Sequence, residues 1–411
     1  MSAPAATDRE AGRLTAGFVV LVGSLSLLPA MSVDMYLPSL PTIAAEMDAT
    51  TAAVQFTITG MVLGGAVGQL VIGPFSDRFG RRLPVRLGVG LHLVLSLLCA
   101  LAVTIGQLVA LRVLQGFAAA GATVVAVAIV RDRYSGADAA RLMSRLMLVI
   151  AVAPLFAPSL GGLVARTWGW RAVFVVLACF AAALLVVAFL ALPETLPPER
   201  RVKRGIGELL RGYGTLLRDR RFVALVALPG LGMAVVISYV VGSPFVLQEE
   251  YGLSAQQFAV VFAIGGTALV LGSQVNAALV RRVGPARLLR VGAPMGAVLA
   301  AVLVAVAATH AGGVVGLVTV LWFTLASLGL VMANASALAM TRHGERAGTA
   351  AATMGFLQAG MAGAVSPLVG LLGGDAVAMT GVILGSLVLA VLVLALATPA
   401  YHREGWVALG T

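Results

Sequence analysis

Twelve apolar stretches, each about as long as a membrane-spanning helix, dominate this sequence of 411 residues. A helix needs about 20 apolar residues to cross the hydrocarbon core of a bilayer. The chain is 60% hydrophobic and only 11% charged, which is too apolar for a soluble core. We therefore predict an all-α polytopic membrane protein with twelve transmembrane helices. The predicted spans cover residues 14–37, 54–76, 84–104, 107–130, 142–165, 170–192, 222–246, 255–280, 287–308, 313–339, 348–373 and 376–398.

The distribution of positive charge predicts how these helices are oriented. If the N-terminus is cytoplasmic, 25 of the 28 lysines and arginines lie on the cytoplasmic side, Arg166 and Arg171 lie outside, and Arg112 lies within a span. Lysine and arginine concentrate on the cytoplasmic side of membrane proteins, so both termini are predicted to be cytoplasmic. The net charge of +11 then reflects topology and contact with anionic lipid, and does not indicate nucleic-acid binding.

A polar segment separates the first six spans from the last six. It covers residues 193–221, begins with prolines that stop the sixth span, and contains GIGELLRGYGTLLRDR, whose helical spacing suits a helix along the membrane interface. We predict an N-terminal six-helix bundle over 1–192, a cytoplasmic linker over 193–221, and a C-terminal six-helix bundle with a short cytoplasmic tail over 222–411.

The two halves share a weak internal repeat. GQLVIGPFSDRFGRRLPVRLG, from Gly68, aligns without gaps on GSQVNAALVRRVGPARLLRVG, from Gly272, with 6 of 21 positions identical. DMYLP, from Asp34, lies over VVGSP, and APSLGG, from Ala157, lies over SPLVGL. Equivalent segments cross the membrane in the same direction, which is the parallel repeat found in one large class of secondary transporters.

Two ionisable residues, Asp34 and Arg112, lie well inside predicted spans. With a rise of about 1.5 Å per residue, both fall at similar depth in the outer part of the bilayer. A charge at membrane depth costs at least about 2.5 kcal/mol, so each should face a partner or a wet cavity. Asp34 is either a protonatable site in a central cavity or a solvated carboxylate at the outer end of the first helix. Arg112 is either its electrostatic partner or a donor to helix-end carbonyls.

The motif GPFSDRFGRR joins the second and third spans on the cytoplasmic side. Gly73 and Gly80 permit a close approach and a tight turn. Asp77, inside a basic loop, can accept hydrogen bonds or face the positive N-terminus of another helix. Arg131 and Asp132, at the inner end of the fourth span, are candidate partners. We interpret the motif as a gating latch, and a plain basic turn is the alternative.

Several motifs resemble those of the major facilitator superfamily. GPFSDRFGRR resembles its helix 2–3 signature G-x-x-x-D-R-x-G-R-R/K, and RVLQG, from Arg112, resembles its helix 4 signature R-x-x-Q-G. APLFAPSLGG is similar to its helix 5 antiporter motif, with Ala157 where many drug antiporters have glycine. DMYLPSLP and SPFVLQEEYGLSAQQFAVVFA look like the Bcr/CflA group of drug resistance transporters, which includes bicyclomycin and chloramphenicol exporters.

The resemblance implies two bundles that rock about a central site and export small amphiphilic drugs, phenicol-like or bicyclomycin-like, in exchange for protons. It implies a monomer in the plasma membrane, in contact with lipid, that uses the proton gradient and no cofactor. Asp34 and Arg112 would couple protons to transport. The second half has Arg281 at the position aligned with Asp77, so only the first half is expected to carry a latch. The implied gating residues are Gly73, Asp77, Arg78, Gly80, Arg81, Arg131 and Asp132, and the antiporter-motif residues are Pro154, Pro158, Gly161 and Gly162.

Polar or aromatic residues within apolar spans are candidates for the substrate cavity, and a local interhelical hydrogen bond is the alternative for each. These candidates are Tyr36, Gln115, Tyr239, Asn334 and Gln358. Small residues at every fourth position also mark spans 2, 5 and 11, and indicate either sliding interfaces between the bundles or static packing. The stripes are Gly60, Gly64 and Gly68; Ala153, Ala157, Gly161 and Ala165; and Ala351, Gly355, Ala359 and Gly363.

Other functions lack support in the sequence. No G-x-x-x-x-G-K-[ST] phosphate loop is present, which argues against an ATP-driven pump. The four histidines, His92, His310, His343 and His402, are scattered, so neither a metal centre nor an enzyme is predicted. The competing hypothesis is a proton-coupled exporter of a physiological metabolite, such as a sugar or amino-acid derivative.

Overall fold

Long α-helices occur where the sequence places its apolar stretches. The computed structural model describes residues 16–134, 136–201, 206–341 and 347–398, and no strand occurs in these ranges. The helices are α1 (Ala16–Asp34), α2 (Leu40–Glu46), α3 (Thr51–Phe79), α4 (Arg82–Ala100), α5 (Ile105–Arg133), α6 (Gly136–Trp168), α7 (Trp170–Ala191), α8 (Ile206–Arg218), α9 (Arg220–Phe245), α10 (Ala255–Val283), α11 (Pro285–Thr309), α12 (Gly313–Met340), α13 (Ala347–Val365), α14 (Leu368–Leu371) and α15 (Ala376–Ala397).

Eleven helical segments of the described ranges are long and apolar enough to cross a membrane. The predicted span over 142–165 falls within α6, a helix of 33 residues that is not among these eleven. The all-α, multi-pass character of the chain is thereby confirmed. The count of twelve spans stays a prediction, as does the cytoplasmic position of the two termini, which lie outside the described residues.

The first span extends further than its predicted end at residue 37. After α1 the chain makes a short 3₁₀ turn and then α2, and the apolar path runs from Gly17 to Glu46. Pro38 and Pro41 lie in the first turns of these two short helices, where the N–H that proline lacks is not needed. In one continuous helix the same prolines would interrupt the backbone hydrogen bonds. Asp34 therefore lies at the end of α1, close to where the sequence placed the end of the first helix, and the apolar path continues past it to Glu46. Its place in the outer part of the bilayer stays a prediction.

The predicted cytoplasmic linker contains α8, as its helical spacing indicated. This helix packs against α13 and α9. Among the described residues, α1 to α7 contact mainly one another, as do α9 to α15, and the main contacts between the groups join α3 to α13 and α6 to α10. We refer to these two groups as the first and second halves. The bundle boundaries at residues 192 and 222 stay a prediction.

The weak repeat also appears in the backbone. Gly80 and Gly284, which align in sequence, follow the C-terminal ends of α3 and α10 with φ of 91° and 85°, a conformation that favours glycine. Gly88 lies so close to α5, and Gly292 so close to α12, that a Cβ on either would meet an atom there at 2.7 or 2.8 Å. The aligned glycines therefore serve the same packing in both halves.

One carboxylate in each half accepts a hydrogen bond from the first residue of that half's last long helix. Glu46 accepts a hydrogen bond from Trp170 Nε1 at 2.7 Å, at the start of α7. Glu250 accepts one from the backbone N–H of Ala376 at 2.7 Å, at the start of α15. Glu46 and Glu250 are 204 positions apart, as are Gly68 and Gly272 in the sequence repeat. This pair extends the repeat to a position that the sequence alignment did not include.

The small-residue stripes of α3 and α13 lie at different kinds of helix interface. The stripe of α3 packs against α5 in its own half, where a Cβ on Gly64 would overlap the carbonyl of Val113. The expectation of an interface between bundles is therefore wrong for α3, and static packing explains its glycines. Gly355 and Gly363 of α13 instead face α3 across the two halves.

Candidate functional site

Asp34 is the last residue of α1 and only 7% exposed. Within the described part of the chain its carboxylate has no hydrogen bond and no ion pair. It lies close enough to Tyr239, in the second half, for the two side chains to interact electrostatically. Burial of this kind does not fit the solvated helix end that the sequence left open. It fits a carboxyl that binds a proton, because burying an unpaired charge is costly, and its coupling role stays a prediction.

Arg112 is fully buried next to the end of α1. Its Nη2 donates to the backbone carbonyl of Ser32 at 3.0 Å and its Nη1 to Gln115 Oε1 at 2.6 Å. The guanidinium carbon lies 4.8 Å from the centre of the Tyr36 ring, within reach of a cation–π interaction. The contact with Ser32 places Arg112 at the depth of Asp34, as predicted. It also shows the helix-carbonyl interaction that the sequence offered as the alternative to a contact with Asp34.

Two substrate candidates, Tyr36 and Tyr239, come from opposite halves. Tyr36 is buried, and its hydroxyl lies 3.0 Å from Thr57 Oγ1. The Tyr239 hydroxyl donates to the carbonyl of Phe262 at 3.3 Å, and the two rings stack with centroids 5.1 Å apart. Tyr36 follows Asp34 by two residues, and Tyr239 interacts with Asp34 across the halves. The structure therefore brings both tyrosines to the neighbourhood of the acid.

The other substrate candidates are placed differently. The amide of Gln115 is engaged inside the first half, because it accepts from Arg112 and its Nε2 donates to Ser96 Oγ at 2.8 Å. Asn334 donates to Asn276 Oδ1 at 2.6 Å inside the second half. Gln358 is half-buried on α13. Gln115 and Asn334 thus make the interhelical hydrogen bonds that were the alternative to substrate binding, and a substrate role stays a prediction for all three.

His92 is a buried residue of this region that the sequence analysis passed over as one scattered histidine. Its ring lies between Ser96 and Ser32, with Nδ1 3.3 Å from one hydroxyl and Nε2 2.9 Å from the other. The available signal was the pair His92 and Ser96, two polar residues one helical turn apart in an apolar span. His343 and His402 lie outside the described residues.

The antiporter motif of α6 reaches the same region. A Cβ on Gly161 would overlap the carbonyl of Met35, the residue after Asp34, so glycine there permits the close approach of α6 to the break in the first span. Pro158 is buried, Gly162 faces α10 of the second half, and Pro154 lies against Gly266 of the same helix. Pro154, Gly161 and Gly162 therefore line the contact of α6 with α1 and α10.

Three of the predicted gating residues meet at the C-terminal ends of α3 and α5, which the predicted topology places on the cytoplasmic side. Arg81 bridges two carboxylates, with Nη1 2.7 Å from Asp77 Oδ1 and Nε 2.7 Å from Asp132 Oδ2. Burial alone would lower the pKa of Arg81, but its hydrogen bonds and attraction to Asp132 and Asp77 raise that pKa above its usual value. Arg78 and Arg131 are exposed outside this cluster.

The two glycines of the gating motif differ. Gly80 makes the turn, and a Cβ on it would meet Glu194 Oε2 at 2.6 Å, so glycine also admits that carboxylate. At Gly73 a Cβ would meet nothing closer than Val124 at 3.9 Å. The expectation that Gly73 permits a close approach of another segment is therefore wrong.

Glu194, at the start of the predicted linker, is a further member of the cytoplasmic cluster. Its carboxylate accepts from the backbone N–H groups of Arg81 at 2.8 Å and Arg82 at 3.2 Å, at the N-terminus of α4. Burial raises the pKa of Glu194, but these bonds and one from Leu196 outweigh it and hold the pKa below its usual value. Thr195 donates to Asp132 Oδ2 at 2.9 Å. Nothing in the sequence signals these contacts, which join the linker to the latch.

Polar contacts close the outer side of the structure between the two halves. Gln55 Nε2 donates to the carbonyl of Val241 at 3.2 Å, and Gln248 Nε2 to the carbonyl of Pro38 at 3.3 Å. The hydroxyls of Thr59 and Ser366 lie 3.1 Å apart. All three contacts lie toward the outer ends of the helices by the predicted topology. The structure is therefore closed on that side.

Comparisons with known proteins agree with this architecture. A family model described as Major Facilitator Superfamily matches residues 22–367. "Uncharacterized MFS-type transporter YdgK" of Bacillus subtilis is 37% identical over 362 residues, covering 88% of this chain and 90% of the relative. "Bicyclomycin resistance protein homolog" of Haemophilus influenzae is 31% identical over 274 residues, covering 67% of this chain and 69% of the relative.

Weaker matches extend the same pattern. "Multidrug resistance protein MdtL" of Escherichia coli is 29% identical over 343 residues, covering 83% of this chain and 85% of the relative. The solved structure of the nucleoside transporter NupG matches with a TM-score of 0.74 at 12% identity, covering 93% of this chain and 99% of that one. A partially occluded, inward open conformation of the E. coli xylose transporter XylE matches with a TM-score of 0.72 at 16% identity, covering 92% and 96%. These structures show a shared fold.

Proposed function

Since this chain belongs to the major facilitator superfamily, we propose that it exports small amphiphilic drugs in exchange for protons by alternating access. It is a multi-pass membrane transporter and not an enzyme, with relatives named for multidrug and bicyclomycin resistance. In this proposal the two halves are rigid bundles of six spans each, the termini are cytoplasmic, and the proton gradient supplies the energy without a cofactor. The protein works as a monomer surrounded by lipid.

The single observation that carries the proposal is the buried carboxyl of Asp34, which has no hydrogen bond or ion pair within the described residues and lies within electrostatic reach of Tyr239 of the opposite half. A carboxyl at membrane depth is much easier to bury when protonated. When the second half moves away, water reaches the carboxyl and favours its charged form. The protonation state of Asp34 is thereby linked to which side of the membrane the site faces, as proton exchange requires.

The chemistry around the acid favours one class of substrate. Asp34 supplies a single negative charge, while Tyr36 and Tyr239 supply flat, mostly apolar surfaces with polar tips. The guanidinium of Arg112 already engages Ser32 and Gln115. A neutral or singly positive amphiphile suits this environment better than a dication. Phenicols and bicyclomycin are the compounds we propose first.

Transport by the purified protein in proteoliposomes tests the proposal. Radiolabelled chloramphenicol flux is measured with and without an imposed pH gradient, for wild type and for Asp34→Asn. We expect wild-type accumulation to depend on the gradient, and Asp34→Asn to lose at least tenfold of it, because an amide cannot release a proton. Normal gradient-driven accumulation by Asp34→Asn would remove the coupling role. Proton-linked flux of a sugar or amino-acid derivative without any phenicol flux would establish the competing metabolite exporter instead.

A further inference from the structure

A closed circuit of buried polar contacts joins α1, α4 and α5 next to the proton-binding region. Arg112 Nη1 donates to Gln115, whose Nε2 donates to Ser96 Oγ. Ser96 Oγ lies 3.3 Å from His92 Nδ1, and His92 Nε2 lies 2.9 Å from Ser32 Oγ. Arg112 Nη2 completes the circuit by donating to the backbone carbonyl of Ser32. All five side chains are completely buried.

The direction of each hydrogen bond follows from counting protons. A serine hydroxyl has one proton to donate, and Ser32 directs it to the carbonyl of Leu28 at 2.7 Å. His92 must therefore donate its Nε2 proton to Ser32 Oγ. Ser96 directs its proton to the carbonyl of His92 at 2.7 Å, with Nδ1 the more distant neighbour. A neutral imidazole with its proton on Nε2 satisfies this arrangement.

By this count one donor chain runs from Arg112 through Gln115 and Ser96 to the backbone carbonyl of His92. A second runs from His92 Nε2 through Ser32 to the carbonyl of Leu28 on α1. Aligned hydrogen bonds polarise one another and are stronger together in an interior of low dielectric constant. Ser32 is held twice by this arrangement. Arg112 binds its backbone carbonyl directly, and His92 binds its hydroxyl from the neighbouring helix α4.

The doubly held residue stands two positions before Asp34, in the last turn of α1. Pro29 removes a backbone hydrogen bond one turn earlier, and the α-helix stops at Asp34, where backbone hydrogen bonds from Met35 and Tyr36 lead into the next turn. Backbone hydrogen bonds beyond this point continue only in the short turn and helix that precede Glu46. The contacts of Ser32 with α4 and α5 therefore add to the packing of α6 on Met35 in holding the turn that carries Asp34.

We propose that His92 is a positioning residue for Asp34, acting through the hydroxyl of Ser32. Its Nε2–H joins the last turn of α1 to α4 and so helps to hold the acid in its buried position. The inference rests on the proposed proton exchange for its role in transport, but its structural content concerns only how Asp34 is presented. In this proposal His92 acts through Ser32 and neither exchanges the transported proton nor binds the substrate.

Chemical labelling of Asp34 tests the inference without any substrate. Dicyclohexylcarbodiimide reacts with protonated carboxyls at membrane depth. The purified, full-length protein is labelled and digested, and the adduct on the peptide that contains Asp34 is quantified by mass spectrometry. We expect His92→Leu to label at least threefold faster than wild type, because the freed turn exposes the acid. His92→Gln, whose amide N–H can take the place of Nε2–H, should label within twofold of wild type.

Two further variants separate positioning from general loosening. Ser32→Ala removes the acceptor and should reproduce the His92→Leu rate, and it keeps the test available if His92→Leu does not fold. Ser26→Ala is the matched control, since Ser26 is also a buried serine of α1 that donates to a backbone carbonyl, that of Val22 at 3.0 Å, but lies outside the circuit. Its labelling rate should stay within twofold of wild type.

Opposite results overturn the inference. His92 does not position the acid if Ser32→Ala labels less than threefold faster than wild type and His92→Leu does the same. The conclusion also holds if Ser32→Ala labels less than threefold faster and His92→Leu does not fold. Equal acceleration in Ser26→Ala, or in His92→Gln, means that any disturbance has the same effect. These outcomes are distinct from failure of the proposed function, which would appear as wild-type protein that does not transport chloramphenicol while the labelling pattern is unaffected.

In proteoliposomes that do transport chloramphenicol, a second readout applies. His92→Leu should lose at least fivefold of gradient-driven accumulation while keeping exchange without a gradient within twofold. Parallel loss of both, in proportion to a lower unfolding temperature, would show a merely structural role and contradict the proposal. Rescue of accumulation by His92→Gln would support the specific requirement for a donor at Nε2.

Discussion

The first and second halves share a backbone plan but bury different chemistry. Aligned glycines make the same turns and close approaches in both, and Glu46 and Glu250 fasten equivalent helix ends. Yet the described residues that are both buried and charged, Asp34, Arg81 and Arg112, all lie in the first half. The second half buries neutral groups such as the Asn276 and Asn334 pair.

This difference teaches that packing and charge are separable in the repeat. Close helix contacts are required twice, because each half must hold its own spans together in lipid. In the proposed proton exchange a buried charge is needed only once, because one protonatable site is enough to link a proton to the relative motion of the halves. The second half then contributes surfaces, such as Tyr239, that respond to the charge of the first.

The largest expected effect comes from Arg112, a fully buried cation of the first half. Arg112→Lys keeps the positive charge but loses the planar fork that serves Ser32 and Gln115 together. We expect at least tenfold less gradient-driven chloramphenicol accumulation and a lower unfolding temperature in detergent.

The exposed Arg287 of the second half offers the matched control for this comparison. Arg287→Lys should change neither transport nor unfolding temperature. Equal behaviour of the two variants would mean that the first half has no special need for arginine chemistry.

The second effect tests the packing that the halves share. Gly68→Val and Gly272→Val place side chains at aligned positions where a Cβ already collides with α5 or α12. Overpacking costs about 1–3 kcal/mol, so both variants should lower the unfolding temperature by similar amounts. Gly385→Val, at a position where a Cβ meets nothing within 4 Å, is the control. A loss confined to one half would show that the repeat is only a likeness of sequence.

A smaller effect is expected at the cytoplasmic cluster. Asp77→Asn weakens the ion pair with Arg81, in which the Asp77 side chain is 49% exposed. Such partly exposed ion pairs contribute roughly 0.2–1 kcal/mol to stability. We expect slower turnover with little change in the apparent affinity for chloramphenicol. Arg281→Gln, at the aligned position of the second half, should leave turnover unchanged. A turnover rate in Asp77→Asn equal to that of wild type would count against the latch.

The smallest effect concerns pH and Glu194. Its pKa is held below the usual value of 4.5, so its charged form stabilises the folded state at neutral pH. That contribution is complete above pH 4.5 and is lost as the pH falls through the lowered folded pKa. Wild type should therefore unfold at a slightly higher temperature than Glu194→Gln at pH 7, and the difference should vanish under acid conditions.

Glu199, exposed in the same linker, offers a matched control for the pH experiment. Glu199→Gln should show no pH-dependent difference from wild type. A difference between wild type and Glu194→Gln that persists at low pH would contradict the role of the carboxylate charge.

The outline of the fold and part of the site were predictable because they depend on local properties. Apolar length predicted the helices, and the rarity of charge within them singled out Asp34 and Arg112. The spacing of GPFSDRFGRR predicted the turn at Gly80 and the involvement of Asp77. His92 was not predicted as a site residue, because its one local signal, Ser96 a helical turn away, does not indicate a role. Glu194 was not predictable, because an acid after a helix has no distinctive local pattern.

By itself, the sequence determined that this protein spans a membrane repeatedly, that its halves repeat, and which spans carry charge. Hydropathy and charge act residue by residue against the bilayer, so they can be evaluated without knowing contacts. Only the tertiary structure decided the partners. Arg112 binds a carbonyl 80 positions away, and Glu194 binds an N–H 113 positions away. Such pairs form because helix packing brings them together, and no local pattern specifies that packing.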